Sequence, residues 1–116
     1  LIDNIKSNII IDQIWILFPD PWPKKKHHKR RLINYNFLTL ANSFLSKNGK
    51  IFIATDSSSY LMDILSIFYN KKLFKWINNI PDKWKYSYYD DLPKTKYYRR
   101  ACRDNKKSFF LIFEKI

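Results

Sequence analysis

One run of residues constrains this chain more than any other, the sequence FPDPWPKKKHHKRR at positions 18–31. Residues 9–18 are almost entirely apolar, which predicts a strand buried on both faces of a parallel sheet. Three prolines at alternate positions then fix their own φ angles and predict extended backbone at Phe18, Asp20 and Trp22. The predicted loop is stiff. It holds the Asp20 carboxylate just beyond the carboxyl end of the strand, the edge where open α/β sheets bind ligands.

A dense basic segment follows this loop, because positions 24–31 are all lysine, histidine or arginine. A fixed carboxylate beside concentrated positive charge is typical of an enzyme that binds a polyanion and positions one of its bases. The pattern therefore predicts an enzyme acting on nucleic acid. The formal net charge of +12 agrees with an anionic partner. A basic face that serves only solubility is the competing interpretation, since excess charge alone is weak support for a function.

Length and composition limit the class of protein. A chain of 116 residues forms one small domain or part of a larger one. A single cysteine excludes an internal disulfide and fits a reducing compartment. We find no signal-peptide pattern and no apolar run of membrane-spanning length, so we expect a soluble cytoplasmic protein. The single glycine, Gly49, excludes a glycine-rich phosphate-binding loop within this sequence.

The periodicity of apolar residues predicts the elements after the loop. A helix is expected over residues 28–47, with Asn48 and Gly49 as its left-handed C-cap. The elements predicted next are a strand at 50–54, a helix capped by the serines at 57–59, and strands at 73–77 and 108–114. The order strand, helix, strand, helix, strand, strand predicts a right-handed βαβ core with a terminal hairpin.

Three segments resemble the bacterial tRNA (guanine-N7)-methyltransferase family: FPDPWPKKKHHKRR at 18–31, TD at 55–56 and TKYYRRA at 95–101. The resemblance covers nearly the whole chain, and its first segment is long and specific. It implies an α/β fold, the C-terminal half of a class I (Rossmann-like) methyltransferase sheet, with parallel strands and an antiparallel terminal strand. Residues 1–116 would then be the C-terminal part of a single methyltransferase domain, without its N-terminal cofactor-binding half. S-adenosylmethionine is the implied cofactor and tRNA the implied partner.

The same resemblance implies roles for individual residues. Asp20 matches the catalytic carboxylate, which also contacts the cofactor. The substrate-binding positions of the family match Lys24, Asp56, Thr95, Lys96, Tyr97 and Tyr98. The RNA-contacting segment of the family matches Lys26, His27, His28, Lys29, Arg30 and Arg31. No metal is implied, and adjacent side chains such as those of His27 and His28 diverge on a helix, so we expect no metal site.

The chemistry of guanine N7 explains what a carboxylate would do. N7 carries an in-plane lone pair and no proton, so its methylation requires alignment of the reactants rather than a strong base. A carboxylate near the base accepts hydrogen bonds from N1–H and the exocyclic amine, and these bonds strengthen as the base becomes cationic. This role is expected of Asp20. The alternatives are ordinary ones: helix caps at Asp20 and Asp56, and solvated side chains at Lys24 and along the basic run.

The third segment departs from the family pattern, because Tyr98 stands where the family has glutamate. A phenol accepts a hydrogen bond without carrying negative charge, so stacking on the base is the contact expected there. Asp90 and Asp91 are candidate substitutes for the missing carboxylate, and Asn105 for the glycine usual before the last strand.

Two other functions stay open from the sequence. Amino-group methyltransferases of nucleic acids have a double proline after the acidic residue, and the order Asp20-Pro21-Trp22 argues against that class. A non-catalytic basic RNA-binding module is favoured by Tyr98 and by the lack of the cofactor half. The intact Asp20 loop argues against it.

Overall fold

The computed structural model describes residues 10–79 and 108–116. Its elements are β1 (Ile11–Leu17), a 3₁₀-helix (Lys25–Arg30), α1 (Tyr35–Phe44), β2 (Leu45–Thr55), α2 (Ser58–Lys71), β3 (Phe74–Trp76) and β4 (Phe109–Lys115). The predictions for Asp90, Asp91, Thr95, Lys96, Tyr97, Tyr98 and Asn105 lie outside the described residues.

The four strands form one mixed sheet in the order β1-β2-β4-β3. β1 and β2 are parallel, while β4 is antiparallel to both of its neighbours. The predicted parallel sheet with an antiparallel terminal strand is therefore confirmed, as is the pairing of the last two strands. β1 is an edge strand among the described residues. Its predicted burial on both faces is wrong, since Ile16 is buried but Trp15 and Leu17 are only half-buried.

The single helix predicted over residues 28–47 is replaced by two shorter ones. Arg31 has extended backbone (φ −63°, ψ 135°), which ends the 3₁₀-helix. Asn34 then starts α1 by accepting a 2.8 Å hydrogen bond from the Phe37 backbone N–H. Burial of Arg31 and Ile33 holds the chain between the two helices against the rest of the fold.

The predicted C-cap at Asn48 and Gly49 is also wrong, because α1 ends at Phe44. The left-handed conformation is present at Asn48 (φ 65°), but inside β2, where pairing with β1 shifts from Ile11↔Leu45 to Gln13↔Lys50. The shift gives β2 three more residues than β1 over this interval, a bulge-like irregularity in the pairing. A Cβ on Gly49 would lie 2.9 Å from the backbone carbonyl oxygen of Ser46, so the bulge leaves no room for a larger residue.

Lys115 takes over the capping of α1. Its Nζ donates hydrogen bonds to the carbonyls of Asn42 (2.7 Å) and Leu45 (2.9 Å). A cation is favourable at a helix C-terminus because the last carbonyl groups there have no partner within the helix. A residue of the last strand thus satisfies carbonyl groups at the end of α1.

The second helix follows its prediction closely. Ser57 is its N-cap and accepts a 3.1 Å hydrogen bond from the Tyr60 backbone N–H. Of the apolar stripe expected from helical spacing, Leu61, Ile64 and Phe68 are buried and Leu65 is half-buried. None of the helices in the described part of the chain has the length and apolar character to span a membrane.

The core lies between the helices and one face of the sheet. It includes Ile16, Ile51, Ile53, Leu111 and Phe113 from the strands. Phe68 of α2 stacks on Phe113 with ring centroids 3.7 Å apart. The opposite face carries a smaller cluster of Trp15, Leu17, Phe18, Ala54 and Phe110, which contains no residue of a described helix.

Candidate functional site

The two predicted carboxylates follow strands that end side by side. Leu17 of β1 pairs with Ala54 of β2, and the Phe18 N–H donates to the Ala54 carbonyl at 2.7 Å. Because β1 and β2 are parallel, Asp20 and Asp56 both follow at the carboxyl edge of the sheet, and both are exposed. The structure thus brings these two predicted site residues to one edge.

The loop that carries Asp20 has a conformation that the proline pattern did not predict. Phe18 (φ 52°) and Trp22 (φ 42°) both have positive φ angles, so the expectation of extended backbone at these two residues is wrong. Asp20 Oδ1 accepts a 3.2 Å hydrogen bond from the Trp22 N–H, which closes a tight turn around Pro21. A positive φ angle costs a bulky residue such as Phe18 or Trp22 about 1–3 kcal/mol, and it persists only where the surrounding structure imposes it.

Neither predicted carboxylate caps a helix. The 3₁₀-helix begins after Lys24 with no side-chain cap, and α2 is capped by Ser57. The helix-cap interpretation of Asp20 and Asp56 is therefore excluded. Asp20 Oδ2 accepts no hydrogen bond from the residues that the structure describes, so one carboxylate oxygen remains available to a ligand.

A basic cluster lies directly after this loop. We use the name for the exposed cations of the loop end and the 3₁₀-helix, which are Lys24, Lys25, Lys26, Lys29 and Arg30. Within residues 10–79 and 108–116 the ion pairs involve other side chains, so no carboxylate neutralises this cluster. The cluster therefore presents concentrated positive charge beside Asp20.

Trp22 organises the surface of the basic cluster. The Arg30 guanidinium lies 5.2 Å from the centroid of its ring, and the His27 ring meets it edge-on at 5.8 Å. A 3₁₀-helix has about three residues per turn, so Lys26 and Lys29 share one side. Arg30 turns toward Trp22 instead of joining them.

Arg31 has a different environment from the rest of the predicted RNA-contacting segment. It is 2% exposed. Its Nε donates to the Pro21 carbonyl at 2.7 Å, and its two terminal nitrogens donate to Asp63 Oδ2 (3.3 Å) and Ser59 Oγ (3.1 Å). The guanidinium also lies over the Tyr60 ring, 4.8 Å from its centroid. All three nitrogens are engaged within the protein, so this geometry leaves Arg31 no surface for a phosphate.

Tyr60 completes the support beneath the loop. Its side chain is fully buried, and its hydroxyl oxygen accepts a 3.0 Å hydrogen bond from the Ile33 N–H. Burial, which disfavours the charged phenolate, raises the pKa of Tyr60 above its ordinary value of 10.0. The phenol is therefore neutral at physiological pH and serves as a packing surface for Arg31.

Comparison with known proteins identifies the family. A family model described as "Putative methyltransferase" matches residues 1–111. The chain belongs to this methyltransferase family.

Individual relatives carry a more specific name. The chain is 42% identical to a tRNA (guanine-N(7)-)-methyltransferase of Wolbachia pipientis wMel, over 95% of this chain and 46% of that protein. It is 39% identical to the protein of that name from Bartonella quintana, over 93% and 46%. The protein of that name from Hyphomonas neptunium is 34% identical, over 86% and 45%. The chain thus spans somewhat less than half the length of these curated relatives.

Membership of a methyltransferase family implies a methyl donor. Among the described residues, the carboxyl edge of the sheet carries the exposed carboxylates of Asp20 and Asp56. No cluster of three or more histidine, cysteine, aspartate or glutamate side chains with metal-binding geometry occurs among the described residues.

Sequence reasoning did not identify three residues that support the loop, namely Ser59, Tyr60 and Asp63. They read as the first turns of an amphipathic helix, and nothing in their local pattern indicates a partner about thirty positions earlier. The one available sign of a buried partner was Arg31 itself, because this cation stands two residues before the apolar Ile33.

Proposed function

We propose that the natural protein containing this chain transfers a methyl group from S-adenosylmethionine to N7 of a guanine in tRNA. Residues 1–116 would form the C-terminal part of its single methyltransferase domain, and the half that binds most of the cofactor would lie upstream. The observation that carries the proposal is Asp20, an exposed carboxylate held in a strained turn at the carboxyl edge of the sheet, directly beside the basic cluster. The names of the relatives support the choice of substrate.

The proposed site uses the residues of this chain for binding and orientation. S-adenosylmethionine would supply an electrophilic methyl group, and the free oxygen of Asp20 fits a cationic cofactor of this kind. Asp20 would also accept hydrogen bonds from guanine N1–H and the exocyclic amine. These bonds strengthen when methylation makes the base cationic, which lowers the barrier without any proton transfer.

The remaining predicted residues would hold the RNA. Lys24 follows the Asp20 turn directly, Asp56 follows the neighbouring strand β2, and both are proposed to contact the guanine nucleotide. Lys26, His27, His28, Lys29 and Arg30 would contact phosphates, which position the substrate without reading its sequence. Thr95, Lys96, Tyr97 and Tyr98 are proposed to complete the nucleotide site, with Tyr98 supplying an aromatic surface instead of a charge.

The test is an analysis of the product. The full natural protein is incubated with tRNA and S-adenosylmethionine carrying a labelled methyl group, and the tRNA is digested to nucleosides. We expect the label in 7-methylguanosine. Label in an amino-methylated nucleoside would instead indicate the amino-group class of methyltransferase. Tight tRNA binding without transfer would indicate a non-catalytic RNA-binding protein.

A further inference from the structure

Arg31 connects the loop that carries Asp20 to the first turns of α2. We propose that Arg31 is a positioning residue, which holds Asp20 in its working orientation and does not contact RNA. The inference rests on the proposed function of Asp20. It concerns how the site is held in place rather than which substrate enters it.

The loop has few ways to hold itself in place. Its three prolines have no N–H groups, so the backbone can form few internal hydrogen bonds. The described backbone hydrogen bonds fix Phe18 before the turn and Lys24 after it. Between these points, the Pro21 carbonyl accepts from Arg31 Nε at 2.7 Å. Pro21 is adjacent to Asp20, so this bond acts on the peptide next to the proposed catalytic carboxylate.

The other end of Arg31 is anchored in α2. Asp63 balances its charge, Ser59 accepts from its second terminal nitrogen, and Tyr60 supports the plane of the guanidinium. α2 begins directly after Asp56 and its cap Ser57. Arg31 therefore ties the orientation of the Asp20 turn to α2, the helix that follows Asp56.

This arrangement requires arginine rather than any cation. The guanidinium reaches three acceptors in different directions while it stacks on an aromatic ring. A lysine ammonium would keep the charge near Asp63 but could not match the planar geometry. The neighbouring Arg30 is exposed and belongs to the basic cluster, so it is a matched comparison for the two possible roles of an arginine here.

The experiment compares four variants of the full natural protein: Arg31→Gln, Arg31→Lys, Arg30→Gln and, as a control, Lys47→Gln. Lys47 is exposed and lies toward the opposite end of β2. Three quantities are measured. They are tRNA affinity as a function of salt concentration, the single-turnover methyl transfer rate at saturating tRNA and cofactor, and amide hydrogen exchange of the peptide spanning residues 18–22.

We expect both Arg31 variants to keep the wild-type salt slope, which is the slope of the logarithm of tRNA affinity against the logarithm of salt concentration. Their transfer rate should fall about tenfold to a hundredfold, since misplacing a reacting group by about 1 Å costs about that much. Exchange in residues 18–22 should rise, while exchange in β2 stays unchanged. Arg30→Gln should reduce the salt slope by about one unit, as expected for one lost phosphate contact. Lys47→Gln should match the wild type in all three measurements.

Several results would overturn the inference. One is a salt slope that falls by about one unit in Arg31→Gln while Arg31→Lys binds tRNA like the wild type, because that pattern marks a phosphate contact. Another is an unchanged transfer rate in Arg31→Gln. If the wild type itself does not methylate tRNA, the proposed function fails, and the salt slope and hydrogen exchange still decide whether Arg31 holds the loop.

Milder changes keep the inference testable if Arg31→Gln does not fold. Ser59→Ala removes one acceptor at an exposed position, and Asp63→Asn removes the balancing charge but keeps an acceptor. Both should raise exchange in residues 18–22 and slow transfer by a smaller factor, with the salt slope unchanged. Wild-type exchange and rate in both folded variants would contradict the proposal.

Discussion

Two adjacent arginines show how much the environment decides at the scale of single residues. Arg30 is exposed and lies over the Trp22 ring, while Arg31 is buried with all three nitrogens bonded to the protein. A buried cation is stable only when its charge is balanced and its donors are satisfied, and Asp63, Ser59 and Pro21 meet these requirements. The two residues therefore have different proposed tasks, RNA contact and loop positioning.

The first prediction at this scale concerns Asp20→Asn in the full natural protein. The amide keeps the size of the side chain, so the free energy of unfolding should change by no more than about 0.5 kcal/mol. It has one acceptor oxygen and no charge, and its NH₂ would face the donors of guanine. Loss of such a contact is worth about 3–4 kcal/mol of barrier. Single-turnover transfer of labelled methyl to tRNA should therefore fall by roughly a hundredfold to a thousandfold.

The control for this variant is Asp12→Asn, at the other end of β1. Asp12 accepts a 2.8 Å hydrogen bond from Ser46 and lies far along the strand from the Asp20 turn. The Asp12→Asn variant loses the same charge as Asp20→Asn. Its methyl transfer rate should stay within about twofold of the wild type if the position of the carboxylate, rather than the net charge, determines the rate. Transfer at the wild-type rate by Asp20→Asn would remove Asp20 from the chemistry.

At the scale of elements, the 3₁₀-helix is best understood as a short scaffold for charge. Its six residues are all basic or imidazole, and none is buried, so it contributes little to the core. It follows the Asp20 turn directly, which keeps the basic cluster next to the carboxylate.

We predict that the 3₁₀-helix contributes to the affinity for tRNA but not to discrimination between tRNA sequences. In Lys29→Ala/Arg30→Ala, the slope of the logarithm of affinity against the logarithm of salt concentration should fall by about two units. Different tRNAs should lose affinity by similar factors, because phosphates are common to all of them. The matched control is Lys47→Ala/Lys71→Ala, which removes two exposed cations elsewhere. Equal effects in both double variants would mean that net charge alone attracts the RNA.

At the scale of the whole molecule, the two faces of the sheet differ. One face packs against α1 and α2 around a continuous core. On the outer face, Glu114 links the strands with ion pairs to Lys50 (3.5 Å) and Lys75 (3.1 Å). Hydrogen bonding to Lys75 is the main cause that lowers the pKa of Glu114 below its ordinary value of 4.5. The outer face also carries Trp15 of β1, the edge strand of the described sheet, whose ring stacks on that of Phe52 with centroids 4.2 Å apart.

This asymmetry leads to a prediction for residues 1–116 expressed alone. Most contacts to S-adenosylmethionine are proposed to come from an upstream half, so calorimetry should detect no binding of the cofactor to this segment. The apolar face should make the segment bind a hydrophobic dye and aggregate more readily than the full natural protein. The full protein measured in parallel should bind the cofactor. Stoichiometric binding by the segment alone would show that the cofactor site lies within these residues.

Local patterns in the sequence were sufficient for much of the framework. The apolar run before the prolines predicted β1, Ser57 and the spacing of Leu61, Ile64 and Phe68 predicted α2, and the parallel pairing of the first two strands followed from their order. Asp20 and Asp56 each follow a strand in the sequence, and the parallel pairing of those strands places both at one edge. These features depend on preferences of neighbouring residues, which a sequence displays directly.

Tertiary contacts decided the rest, because the deciding partners are distant in the chain. α1 ends where Lys115 caps it, and the left-handed residue Asn48 serves a bulge because β2 has to pair with β1. Phe18 takes a positive φ because its N–H stays bonded to Ala54 while the chain turns away. Arg31 leaves the basic surface because its acceptors Ser59 and Asp63 become neighbours only after α2 packs beside the loop. A local pattern specifies what a backbone segment prefers, whereas burial and hydrogen-bond satisfaction depend on what folding brings next to it.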